Sequence, residues 1–146
     1  MKKRIILSIV FLLLFVGLII YSVIFSYGEV EPLDLADNIT MEIKEGTLSN
    51  KGATVIITDL SGEDNTYNDE FRLDRKKNGR WHKMFKEDPV VVTPGSHKKD
   101  ENNKVELELN FETYYGILED GYYRIVKKIN DKDIAVEFKL ETLKDN

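Results

Sequence analysis

The stretches Val105-Glu106-Leu107-Glu108-Leu109-Asn110-Phe111 and Ile134-Ala135-Val136-Glu137-Phe138-Lys139-Leu140-Glu141 decide the fold. Apolar residues fall on every second position in both, which is the period of a half-buried strand and not the 3.6-residue period of a helix. The same alternation extends outward. Ile39, Met41 and Ile43 alternate with Thr40, Glu42 and Lys44; Ala53, Val55 and Ile57 with Thr54 and Thr58; Phe71 and Leu73 with Arg72 and Asp74. Residues 122–129 are rich in aromatic and β-branched side chains, and Lys76-Lys77-Asn78-Gly79-Arg80 reads as a hairpin turn leading to Trp81. Polar and glycine-containing breaks fall at 49–52, 61–65, 94–103, 119–121 and 130–133. Seven or eight short strands with no amphipathic helix among them predict an all-β antiparallel sandwich. A closed barrel is the alternative, and the long polar break at 94–103 suits a crossing between two sheets better.

The apolar residues of the 146-residue chain are unevenly spread. From Ile5 to Tyr27 there are 23 residues without a charge, 17 of them Leu, Ile, Val or Phe. As a helix this run spans ~35 Å, against a hydrocarbon core of ~30 Å. Lys2, Lys3 and Arg4 precede it while Glu29, Glu31, Asp34 and Asp37 follow it, so the basic flank stays in the cytoplasm and the rest lies outside. The expected organisation is therefore a basic tip and signal anchor over residues 1–28, a linker over 29–38, and an extracytoplasmic domain over 39–146. The location is the cell membrane, single-pass, with residues 5–27 in lipid. Cleavage near Gly28, after Ser26-Tyr27, would instead release a secreted domain, but the apolar core is longer than the 7–15 residues usual in a cleaved signal.

Without the first 28 residues, 18 basic side chains face 26 acidic ones, a net charge of −8. Such a surface repels nucleic acid, which is not an expected partner. The absence of cysteine excludes disulfides, thiol nucleophiles, thiolate metal sites and a bacterial lipoprotein, whose lipid a cysteine carries.

Residues 47–58 (Thr-Leu-Ser-Asn-Lys-Gly-Ala-Thr-Val-Ile-Ile-Thr), Tyr67, Phe71-Arg72-Leu73, Asn78-Gly79-Arg80-Trp81 and Gly121-Tyr122-Tyr123-Arg124-Ile125-Val126-Lys127 resemble the bacterial immunoglobulin-like domains of membrane-anchored proteins in Gram-positive bacteria. The resemblance implies an immunoglobulin-like sandwich over most of residues 38–141, preceded here by one transmembrane helix. It also implies structural roles for Trp81 and for Tyr123, the latter as a tyrosine corner whose hydroxyl bonds back to the backbone just upstream. It carries no catalytic motif.

Residues in chemically active patterns are few. His82 and His97 have no metal-ligand spacing, and no serine sits in a nucleophile frame, so no catalytic residue and no cofactor is expected and the chain is read as non-enzymatic. Asp59, Glu63, Asp64, Asn65 and Asp69 concentrate oxygen donors and form a weak calcium candidate, although their spacing matches no calcium loop and a solvated acidic loop is the plainer account. Arg72, Arg75, Lys76, Lys77, Arg80 and Lys83 form a candidate cationic strip that could hold a cell-wall polyanion or the rim of a protein, or could serve only to keep an edge hairpin from aggregating. Two function classes result. The first is a membrane-anchored module that contacts an extracytoplasmic protein or a cell-wall polymer, or is simply structural. The second is a sensor or inhibitor that binds a ligand, an ion or an exported enzyme.

Overall fold

The computed structural model describes residues 11–21, 30, 32–86 and 95–141. Two antiparallel sheets enclose one core. The first has the order β1 (Ile39–Ile43), β2 (Gly52–Asp59), β7 (Lys104–Asn110); the second has the order β5 (Arg80–Lys83), β4 (Arg72–Lys77), β8 (Gly121–Ile129), β9 (Lys132–Leu140). A two-stranded ribbon of β3 (Thr66–Tyr67) and β6 (His97–Lys98) stands beside them. The alternating apolar positions meet between the sheets: Met41, Val55, Ile57, Leu107 and Leu109 from the first, Leu73, Tyr123, Ile125, Ile134 and Phe138 from the second. A slip of one residue would turn each set to water, so burial sets the register.

Local chemistry explains the connections. Asn78 and Gly79 both have positive φ, 50° and 78°, which suits the two-residue turn of the β4–β5 hairpin. The sequence pattern carries the β7 strand through Phe111, but the strand ends at Asn110. Phe111 opens a short helix, α2 (Phe111–Tyr115), because the Asn110 side chain accepts from the Thr113 amide and the i, i+4 pair Phe111 and Tyr115 is buried. This helix is the correction to the expectation of an all-strand domain. Likewise the strand expected to begin at Phe71 begins at Arg72.

The stretch read as a linker is docked in its described part. The Val30 amide donates to the Trp81 carbonyl at 3.2 Å, Leu35 bridges Asp133 in parallel, and the Ala36 and Asp133 amides bond to Asp133 and Asp34 carbonyls. Residues 11–21 form the helix α1, with every side chain exposed. No helix among the described residues is long and apolar enough to cross a membrane. The rest of the run 5–27, and the Gly28 cleavage position, lie outside the described residues.

Candidate functional site

The face of the four-stranded sheet turned away from the core carries the densest side-chain chemistry. The β4–β8 register sets Asp74 opposite Arg124, and the β4–β5 register sets it opposite Lys83 and places Lys76 opposite Trp81. Asp74, with no exposed surface, accepts from Arg72 (Nε 2.8 Å, Nη2 3.1 Å) and from Arg124 (Nε 2.7 Å). Two guanidiniums therefore share one buried carboxylate. The Arg124 guanidinium lies 4.6 Å from the centre of the Trp81 ring, and the Lys76 ammonium lies 5.2 Å from the same centre. Beside them Tyr122 is exposed, with the Lys139 ammonium 5.2 Å from its ring. Trp81 thus packs on this outer face and takes no part in the core between the sheets.

The candidate cationic strip does not form one surface. Strand alternation puts Arg72, Lys76 and Lys83 on the outer face and Arg75, Lys77 and Arg80 on the other side. Arg72 is spent on Asp74. Arg75 pairs with Glu119 at 3.0 Å, donates to the Asp120 carbonyl and lies over the Tyr123 ring. The exposed bases gather at the hairpin tip as Lys76, Lys77 and Arg80, with Lys83 further along β5.

The calcium candidates are engaged by the protein itself. Asp59, fully buried, accepts from the Ser61 amide and hydroxyl, from Asn65 at 3.1 Å and from the Tyr67 hydroxyl at 2.9 Å, with Lys99 at 3.6 Å. Burial alone would raise its pKa, but the bonds from Ser61, Asn65 and Tyr67 outweigh this and hold the carboxyl well below the usual range. Asp64 pairs with Lys98, Asp69 with His97 at 2.7 Å, and the Glu63 carbonyl accepts from Lys99. The β3–β6 ribbon brings the acidic loop onto the basic stretch 97–99, which the sequence separates by about thirty residues. Among the described residues no group of three or more His, Asp or Glu side chains is placed to hold a metal ion.

The Tyr123 hydroxyl donates to the Glu119 carbonyl at 2.8 Å, across the corner into β8. At the other end of β8, Lys127 sits on the core face in alternation with Tyr123 and Ile125, and donates to the carbonyls of Asn68 and Glu70. Burial lowers its pKa to about 8, against the pull of Asp69 and Glu70. It lies at the wall of a cleft of about 750 Å³, bounded also by Val30, Leu33, Glu70, Phe85 and Lys128.

The Asp74–Arg124–Trp81 cluster is invisible to a linear reading because only cross-strand register joins its members. Lys127 did leave a signal, a lysine at an inward position of an alternating strand. Among the described residues no buried side-chain nitrogen or oxygen lacks a hydrogen-bond partner.

No curated protein and no solved structure matches the chain. Residues 35–139 match the family model of the bacterial Ig-like domain, and over that span, which is most of its length, the chain belongs to that family.

Proposed function

We propose that this chain is a membrane-anchored extracytoplasmic Ig-like module that works by contact and not by catalysis. The observation that carries the reading is the exposure of the apolar side chains of the helix. Phe11, Leu12, Leu13, Leu14, Phe15 and Leu18 are all more than half exposed, while the sandwich completes its core without them. Apolar side chains on every side of a helix require an apolar solvent, and lipid supplies it. The basic residues ahead of the run keep that end inside. Membership of the bacterial Ig-like family, a domain that is typically non-catalytic, supports a structural or binding role. The partner is an exported protein or a cell-wall polymer reached from the outer face of the membrane.

The test is alkaline carbonate extraction of membranes combined with protease treatment of intact protoplasts. Retention of the full-length chain in the pellet and digestion of residues 29–146 from outside are expected. A chain freed by carbonate, or shortened near Gly28 and found in the medium, would overturn the anchor.

The cleft beside Lys127 favours a second reading, a sensor that binds a small ligand there. A ligand found to raise the melting temperature, with the effect lost in Lys128→Glu, would support it.

A further inference from the structure

We infer that the tip of the β4–β5 hairpin rests on the anionic headgroups of the membrane that holds the N-terminal run, with Trp81 at headgroup level. This rests on the anchoring reading above. The uncharged run ends at Tyr27, and the Val30 amide is bonded to the Trp81 carbonyl. Three residues of fully extended chain cover at most about 11 Å. Trp81 cannot therefore lie far from the lipid surface, whatever the path between.

The side chains at that level suit such a surface. Lys76 is paired with Trp81 across the hairpin, Lys77 with Arg80, and Tyr122 with Lys139 in the same sheet. Tryptophan and tyrosine are favoured where an apolar body meets a polar edge, and lysine and arginine near a surface of anionic lipid are drawn to it. Of the acids at this end of the sheet, Glu119 is paired with Arg75. The extracytoplasmic part as a whole, at −8 with the hairpin included, is repelled by the same surface. Repulsion elsewhere and attraction at one hairpin together select an orientation, with this end of the four-stranded sheet down.

Trp81 is the only tryptophan, so its emission reports this place alone. The full-length chain is reconstituted into vesicles of phosphatidylcholine with or without phosphatidylglycerol, carrying a spin label on the headgroup of a minor lipid; insertion is established by flotation after carbonate treatment. The expected result is a loss of Trp81 emission in the anionic vesicles. The loss should be smaller in neutral vesicles, in high salt, and in the triple variant Lys76→Gln, Lys77→Gln, Arg80→Gln. The comparison of wild-type protein at low and high salt stands even if the variant folds poorly. Emission that is unquenched in a chain that floats would overturn the inference. So would quenching that is indifferent to lipid charge and salt, or an emission that responds only to added poly(glycerol phosphate), which would mark the hairpin as a polymer site. A chain that fails to float would overturn the anchor instead.

Discussion

Tyr123 is held from three sides: its ring stacks on Phe138 at 5.5 Å, Arg75 lies over it, and its hydroxyl donates to the Glu119 carbonyl. Tyr123→Phe keeps both ring contacts and removes the bond, so the domain should lose about 1 to 2 kcal/mol, read by chemical denaturation; an unchanged midpoint would remove the corner from the account. Asp59 gives the domain an acid sensitivity. Its carboxyl lies below its unfolded value near 4, so its stabilisation is complete above about pH 5 and is lost as the pH falls through the acid range. Melting temperatures between pH 6 and 3 should fall more steeply in the wild type than in Asp59→Asn. Lys127 works in the opposite sense. With a pKa of about 8 folded and an ordinary value near 10.4 unfolded, the unfolded chain binds more protons between those limits, so stability from this group rises with pH there. The stability difference between wild type and Lys127→Met should accordingly grow in favour of wild type from pH 8 to 10.

At the scale of the element, strands announced themselves where one face is apolar and the other polar. Ile134, Val136, Phe138 and Leu140 on β9 did so, as did Val105, Leu107 and Leu109 on β7, because their partners across the sheet have the same division. The pattern ran past the end of β7 because Phe111 is apolar in either state. Only the Asn110 cap and the packing of Phe71, Tyr115 and Phe138 around that region choose helix there. Gly52 illustrates a constraint set by pairing. It lies opposite Asn110 at the start of β2, and a Cβ built there would meet the Leu109 carbonyl oxygen at 2.5 Å. Gly52→Ala should therefore push β2 away from β7 and cost about 1 to 3 kcal/mol, with protection from hydrogen exchange lost first at the β7 amides.

For the whole molecule, the stretch ahead of β1 is docked as a part of the domain. Val30, Asp34 and Ala36 bond to β5 and the start of β9, and Lys132 pairs with Asp34 at 2.8 Å. A fragment starting at residue 37 should melt several degrees below one starting at residue 29, since losing about 1 kcal/mol shifts a domain of this size by roughly 2 to 8 °C; equal melting would show the docking to be incidental. Legible along the chain were the uncharged apolar run, the all-β class, the approximate strand positions and the hairpin at Asn78-Gly79. Those properties depend on local periodicity, run length and backbone preference, which are written along the chain. The tertiary structure alone decided that the acidic loop faces residues 97–99, that Asp74 holds both Arg72 and Arg124, the latter against Trp81, and that the six-base strip divides between two faces. These depend on which strand pairs with which and in what register, and that is settled by the joint burial of both sheets, a quantity no single stretch of sequence contains.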